Sequence, residues 1–131
     1  MVMGCLAMAT VKAADADKKT YAKAEIYYVG WTIMPRTRLT LTGIRNSSHI
    51  KTTVNDDFEV KHLVQEWLRL DELKKLSSPV HEDPRLVVDL FDESGKRTTY
   101  YASSASLISE DGQRKRSIDR AFRDKFHFAA E

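Results

Sequence analysis

Cysteine is almost missing from this chain, which contains one, Cys5, among its 131 residues. Cys5 lies in the apolar stretch that opens the sequence, so a mature chain without that stretch would contain no thiol. Disulfides and thiol nucleophiles are thereby excluded from the mature protein. Secreted eukaryotic domains of this size often carry disulfides, whereas periplasmic bacterial domains need not. The cysteine content therefore favours a bacterial envelope protein.

Glycine is also scarce, with five residues in the chain. The sequence contains no Gly-x-Gly-x-x-Gly, P-loop or EF-hand pattern, and no Gly-x-Ser-x-Gly elbow surrounds its serines. We therefore predict no cofactor and no metal, and we consider an enzyme the less favoured class. Triads assembled from distant residues stay open as an alternative, because they leave no local motif.

Neither charge sign is in marked excess. Lys and Arg together number 21 and Asp and Glu 19, which gives a net charge of +2. Nucleic-acid-binding proteins concentrate basic residues, so we predict no nucleic-acid partner. Beyond the opening residues, no stretch approaches the roughly 18 apolar residues that cross a bilayer. We therefore predict no integral membrane segment in the mature chain.

The opening of the chain is typical of an export signal. Residues 1–11 are apolar apart from one Thr, and a small-residue Val-Lys-Ala site follows before the sequence turns polar. This pattern matches the rear of a secretory signal peptide whose basic n-region is missing. We predict a truncated signal peptide over residues 1–13, a flexible arm over 14–24 and one domain over 25–131, located in the periplasm or secreted. Lipidation at Cys5 is the alternative fate of the leader.

Alternating, β-branched and aromatic residues predict several strands. The principal strand segments are residues 26–33, 38–42, 86–91 and 97–102, with shorter candidates at 50–54 and 107–109. Residues 86–91 are nearly all apolar, which places that strand centrally in a sheet. The turn between residues 91 and 97 contains Gly95, and it is typical of a β-hairpin.

One amphipathic helix is the clearest element. Its apolar stripe has spacings of three and four and consists of Val60, Leu63, Val64, Trp67 and Leu68. Further leucines predict an extension of this helix as far as residue 76. Ser117 is predicted to cap a short last helix. The order of elements predicts an α+β, two-layer fold, with an antiparallel sheet of about four or five strands, one long helix on a face and a short C-terminal helix.

Two polar clusters invite a chemical interpretation. Glu59, His62 and Glu66 share one helix face and are of the residue types that ligate metals, but no second Glu-x-x-His helix or His-Glu-x-x-His motif accompanies them. A solvated helix face is the preferred interpretation. His81 lies in a loop between two prolines beside two acidic residues, and it is the alternative candidate for a titrating group.

Aromatic and basic residues are the candidates for partner binding. Tyr28 and Trp31 on the first strand and Tyr101 on the hairpin are typical anchors of protein recognition when they face outward. Arg114 and Arg116 belong to a local basic cluster that suits an acidic partner or the rim of an interface. The competing interpretations are cross-strand pairing that stabilises the sheet and a solvated charged surface.

These observations predict an exported bacterial protein that binds another protein. An inhibitor or immunity-type protein that blocks a periplasmic partner by steric contact fits the size and the lack of catalytic motifs. One alternative is a small-ligand carrier or enzyme with a pocket between helix and sheet. The other is a structural accessory of an envelope complex. The oligomeric state is not indicated by the sequence.

Overall fold

The structure is a computed structural model that describes residues 20–31, 40–47 and 50–126. The predicted leader at residues 1–13 lies outside the described residues. Within the described residues, seven antiparallel strands form one sheet in the order β2-β1-β4-β5-β6-β7-β3. The strands are β1 (Lys23–Tyr28), β2 (Ile50–Val54), β3 (Lys74–Lys75), β4 (Leu86–Phe91), β5 (Arg97–Ala102), β6 (Ser106–Ser109) and β7 (Arg114–Ser117).

The helical segments are short. They are α1 (Leu41–Ser47), α2 (Asp57–His62), a π-helical segment (Leu63–Leu68), a 3-10 turn (Leu70–Glu72) and α3 (Arg120–Lys125). Within the described residues, no helix combines the length and the apolarity that spanning a membrane requires.

The β4–β5 hairpin confirms the strongest strand prediction, at the predicted bounds. Its turn is held by the Asp92 carboxylate, which accepts hydrogen bonds from the Ser94 and Lys96 N–H groups, both at 2.9 Å. Gly95 has a φ of 88°, a conformation that costs glycine little and other residues more. Both β4 and β5 lie in the interior of the sheet, as the apolar run predicted.

The sheet is covered on both faces, not one. The larger core lies between the sheet and the segment from α2 to the 3-10 turn, together with α3. On the opposite face, Ile44 of α1 packs in a smaller cluster with Tyr27, Val87, Tyr101 and Ile108. The prediction of an α+β fold with an antiparallel sheet is thus confirmed. The two-layer description is wrong, because β1, β4, β5 and β6 carry apolar side chains on both faces.

The predicted long helix begins as expected but does not continue. Asp56 caps α2, accepting a hydrogen bond from the Glu59 N–H at 3.1 Å. At Leu63 the helix widens to a π-helix, and it ends at Arg69, whose φ of 48° is left-handed. Arg116 donates hydrogen bonds to the carbonyl oxygens of Leu68 and Trp67, at 2.9 and 2.7 Å. These bonds satisfy carbonyls that a helix end leaves unpaired. Because the helix ends at Arg69, the predicted extension to residue 76 is wrong.

Other boundaries also differ from the predictions. Leu41 and Thr42, expected at the end of a strand, begin α1. Thr40 precedes this helix and accepts a hydrogen bond from the Gly43 N–H at 2.9 Å, and residues 38–39 of the predicted strand lie outside the described residues. The last helix is capped by Asp119 instead of Ser117, with Phe122 N–H donating to its carboxylate at 2.9 Å. β1 begins at Lys23 within the predicted arm, and the sheet has seven strands because β3 and β7 add an edge.

Candidate binding groove

The strand β2 forms one edge of the sheet. Within the described residues its only strand partner is β1, with Ile26 opposite Thr52 and Tyr28 opposite Ile50. An edge strand presents unpaired N–H and C=O groups to whatever lies beside it. β2 therefore offers main-chain hydrogen-bonding groups along the side that faces away from β1.

The outward-facing groups of β2 follow from the pairing of β1 with β4. The Val29 N–H donates to the Arg85 carbonyl oxygen at 3.0 Å, in line with the β1–β4 register. In antiparallel sheets, alternate residues bond to opposite neighbours. Odd-numbered residues of β1 therefore bond to β4 and even-numbered ones to β2. By the same alternation, Lys51 and Thr53 of β2 direct their N–H and C=O groups to the free edge.

A groove of about 400 Å³ runs beside this edge, between β2 and the helical layer. Thr52 and Val54 of β2 form one wall. The other wall belongs to α2 and the π-helical segment. The described residues lining the groove are Ile26, Thr52, Val54, Phe58, Glu59, His62, Leu63, Trp67, Lys125 and Phe126. We call this set the edge groove.

Phe58 at the rim of the edge groove is unusual. Its side chain is 75% exposed, and it is the one large apolar side chain that the described residues leave exposed. It stacks on His62, with ring centroids 6.2 Å apart and an interplanar angle of 14°. Isolated exposed apolar residues are common, but this ring adjoins an apolar depression and a free strand edge. Its position extends the apolar surface of the edge groove into solvent.

The wall of the edge groove includes the π-helical segment. The Arg69 N–H donates to the Val64 carbonyl oxygen at 2.9 Å, the five-residue spacing of a π-turn. Such turns are rare and are frequent at functional sites. Leu63 lies on the core side and Trp67 is half-buried in the wall. The buried indole N–H of Trp67 has no acceptor among the described residues.

The charges around the edge groove differ between the two faces of the sheet. On the groove side, Lys125 lies over the Trp67 ring, with Nζ 5.4 Å from its centroid, and Glu59 and His62 are exposed. On the other face, Lys51 Nζ lies 3.5 Å from the Glu25 carboxylate. The negative charge of Glu25 raises the pKa of Lys51 above its ordinary value. Lys51 therefore presents a positive charge at the free edge, beside the Glu25 carboxylate.

A second cleft of about 560 Å³ lies on the opposite side of α2. Its floor is apolar and its rim carries Asp57, Asp71, Glu93 and Lys61. Thr20, the first described residue, forms part of its wall, so the cleft adjoins the start of the described chain.

The Ser103 hydroxyl has a carboxylate partner, as an activated hydroxyl would, but all of its hydrogen bonds hold the local structure together. It donates to Glu82, whose other carboxylate oxygen accepts from Lys115 Nζ at 2.8 Å. The Ser103 oxygen also accepts from the N–H groups of Ala105 and Ser106, at 3.2 and 3.1 Å. Burial raises the pKa of Glu82, but the hydrogen bonds from Lys115 and Ser103 outweigh it and hold that pKa below its ordinary value. This cluster fastens the loop before β4 to the sheet.

A buried ion pair fastens α1 in the same manner. Arg45 donates to both carboxylate oxygens of Asp89, at 2.8 and 2.7 Å, and Thr99 donates to Asp89 at 2.6 Å. The bidentate geometry satisfies a carboxylate that is buried in the middle of the sheet. Its groups are engaged with one another, which points to a structural role.

The three aromatic residues predicted to contact a partner are buried. Tyr28 and Trp31 are 4% and 9% exposed in the larger core, and Tyr101 is 3% exposed in the smaller one. Trp31 also donates its indole N–H to the Arg123 carbonyl oxygen at 3.0 Å. These rings present almost no surface to a partner, because layers on both faces cover the sheet. Partner binding by them remains a prediction from the sequence.

The two predicted arginines lie on β7, away from the edge groove. Arg116 is engaged at the end of the helix, and its guanidinium also lies 5.5 Å from the Phe122 ring. Arg114 is half-buried and approaches the Tyr100 hydroxyl at 3.4 Å. The structure brings neither of them together with the predicted aromatics on one surface. Their role in partner binding likewise remains a prediction from the sequence.

Glu59, His62 and Glu66 are exposed on the helix. Over residues 20–31, 40–47 and 50–126, no three His, Cys, Asp or Glu side chains are grouped as a metal site requires. His81 is exposed in its loop.

The sequence analysis missed Phe58 and Thr53. Phe58 precedes Val60 by two residues, which places it off the apolar stripe of the helix. The sequence feature that could have indicated Phe58 is a large apolar residue outside this stripe. No comparable signal marks Thr53, since its edge position depends on pairing between distant strands.

The comparisons with known proteins supply no relative. No family model, no curated protein and no solved structure matches the chain. The function must therefore be inferred from the edge groove itself.

Proposed function

We propose that this protein binds an extended segment of another protein. The segment adds to the sheet at the free edge of β2 and places side chains in the edge groove. The observation that carries this proposal is the adjacency of two complementary features, outward main-chain groups at Lys51 and Thr53 and an apolar groove with exposed Phe58. Strand addition uses main-chain hydrogen bonds for affinity and pockets for alternate side chains for specificity.

The geometry of a strand explains why both features are needed. Successive side chains of an added strand point to opposite faces of the sheet. Those on the helical face would enter the edge groove, against Phe58, Leu63 and Trp67. A ligand without an extended main chain would use the groove but leave the edge groups unpaired. The edge groove therefore favours a polypeptide over a small molecule.

We further propose that this binding takes place in the bacterial periplasm, because the apolar leader is typical of an export signal. An inhibitor or immunity-type protein that binds an extended segment of its partner would block that partner by steric contact. It would need no catalytic group. N-terminal sequencing of the periplasmic fraction tests the location. A mature chain that begins near residue 14 supports it, and a cytoplasmic protein that retains Met1 contradicts it.

The alternative of a ligand pocket between helix and sheet has less support. Val60, Leu63 and Leu68 are buried against the strands and occupy that contact. The two clefts described above lie beside the contact and are open to solvent.

Hydrogen exchange tests the proposal at single residues. Peptides are selected from a displayed random library against the folded protein, and the selected peptides are synthesised. In the free protein, the amides of Lys51 and Thr53 should exchange faster than those of Thr52 and Val54. A bound peptide should slow Lys51 and Thr53 by at least about tenfold, because it supplies acceptors at the edge. Failure to select any peptide, or binding without protection at these two amides, contradicts strand addition.

Two variants sharpen this experiment. Thr53→Pro removes the outward N–H and obstructs an added strand, whereas Thr53→Ala keeps that N–H and serves as its control. Phe58→Ala removes apolar contact area, and Lys61→Ala, on the other side of α2, is its control. We expect Thr53→Pro and Phe58→Ala each to weaken binding about tenfold, with both controls within about twofold of the parent. Thermal unfolding confirms that each variant folds.

A further inference from the structure

On the face opposite the edge groove, β1 and the edge strand β2 together carry an unbalanced group of charges. Glu25 on β1 lies between two lysines, with its carboxylate 3.8 Å from Lys23 Nζ and 3.5 Å from Lys51 Nζ. One carboxylate thus serves two ammonium groups. We call Lys23, Glu25 and Lys51 the edge triad, and its formal charge is +1.

The surroundings of the edge triad do not remove this imbalance. Tyr27 donates its hydroxyl to Glu25 at 3.1 Å, and burial, together with that bond, raises the pKa of Tyr27. Asp89 of β4 lies directly opposite Glu25 in the strand register, but it accepts hydrogen bonds from Arg45 and Thr99. The Lys23 and Lys51 side chains are 43% and 52% exposed. Lys51 is therefore accessible at the free edge, whereas Lys23 is half-exposed on β1 beside the Phe91 ring of β4.

Strand geometry fixes where an added strand would meet these charges. A residue opposite Lys51 in the new strand would point its side chain to the same face as Lys51. Its two chain neighbours would point to the other face, into the edge groove. Directly opposed residues of unlike charge stabilise a strand pair, and those of like charge destabilise it.

We propose, on the basis of the proposed function, that the bound segment carries an acidic residue flanked by two apolar residues. The carboxylate would meet Lys51 and complete the edge triad with a second negative charge. The flanking apolar side chains would enter the edge groove beside Phe58 and Trp67. The partner chemistry is therefore an extended polypeptide in which one acidic side chain lies between two apolar ones.

A peptide series tests this charge preference. Three capped heptapeptides alternate Val with Glu, Val with Gln, or Val with Lys. Their dissociation constants are measured at low salt and in about 0.5 M salt, where screening of exposed charges should reduce the differences between the peptides. We expect the Glu peptide to bind about two- to fivefold more tightly than the Gln peptide at low salt, and the Lys peptide to bind more weakly than both.

Charge reversal at the edge provides the decisive variant. Lys51→Glu should invert the order, so that the Lys peptide binds most tightly. Lys51→Gln should abolish the difference between Glu and Gln peptides without introducing a new repulsion beside Glu25. Lys61→Glu, on the far side of α2, changes the net charge of the protein equally and should leave the order unchanged. An order that does not respond to residue 51 overturns the inference.

The outcomes separate this inference from the proposed function. If the Gln peptide slows exchange at Lys51 and Thr53 but the Glu peptide binds no better, strand addition stands and the acidic preference is wrong. If none of the three peptides slows exchange at these amides, both the strand-addition proposal and the inference that depends on it are contradicted.

Discussion

The two edges of the sheet are built differently. The β2 edge is five residues long, has one lysine, and adjoins an apolar groove with an exposed phenylalanine. The β3 edge is two residues long and consists of Lys74 and Lys75, both exposed. The register places Lys74 opposite Lys115 and Lys75 opposite Arg114. One edge is long and mainly uncharged, and the other is short and cationic.

This difference has a physical meaning. Short strands and lysines are among the means by which proteins prevent unwanted pairing at a sheet edge. Like charges directly opposite one another cost some stability, so the β3 edge gives up stability for that protection. The β2 edge lacks the same protection over its longer span. The contrast indicates that pairing is opposed at one edge and permitted at the other.

Arg116→Ala should have the largest effect, because it removes the bonds between β7 and the end of the helix. We expect the free energy of unfolding to fall by about 1.5–3 kcal/mol, the range for hydrogen bonds to a charged group. Chemical denaturation measures the loss, and hydrogen exchange should quicken in β7 and β3 more than in β2. Arg120→Ala is the control, since Arg120 is exposed and makes one surface ion pair with Asp124. A loss no greater than that of the control would show that these bonds contribute little.

Replacement of Lys74 and Lys75 by Thr should make the two edges more alike. Removal of two like-charge pairs should raise the free energy of unfolding by about 0.5 kcal/mol. The unprotected edge should also increase self-association with concentration, which sedimentation measures. Lys96→Thr in the β4–β5 turn is the matched control. A double variant that remains as monomeric as this control contradicts the protective role of the lysines.

Glu82→Gln should have the smallest effect, and one that depends on pH. The pKa of Glu82 is lowered in the folded protein, so its ionised form stabilises the fold above the ordinary pKa of 4.5. That stabilisation is lost as the pH falls through the lower, folded-state pKa. At pH 7 we expect a loss of under about 1 kcal/mol, because the pair is partly exposed. Denaturation at several pH values measures it.

The difference between Glu82→Gln and the parent should shrink steadily below pH 4.5. In a Lys115→Gln background it should also shrink at pH 7, because one of its two hydrogen-bond donors is gone. A difference that is constant across the pH range would exclude the ionised carboxylate as its source.

The sequence predicted the elements whose side chains have a regular period. The apolar run of β4, the Gly95 turn and the α2 stripe were all visible, and the structure has them there. Arg114 to Ser117 contains no apolar residue to show a period, so its strand depends on pairing with β6 and β3. Leu41 begins a helix although the residues before it alternate. There, packing of Ile44 on the second face outweighs the local pattern.

The edge groove was less predictable than the fold. Phe58 and the apolar side of the helix are sequence features, but the edge position of β2 is a property of the whole sheet. It exists because β4 occupies the other side of β1, and no local pattern encodes that order. The burial of Tyr28 and Tyr101 could not be predicted from the sequence for the same reason. Each could be assigned to a face only once the layer covering that face was known.

The place of β1 in the sheet also limits how early the protein can fold. Its partner β4 lies roughly sixty residues further along the chain, from Tyr28 to Leu86. A ribosome releasing the chain would expose β1 and β2 well before β4 emerged. Until then, β1 would have β2 as its one neighbouring strand, and its apolar residues Ile26, Tyr27 and Tyr28 would be incompletely buried. A chaperone could bind these residues during that interval.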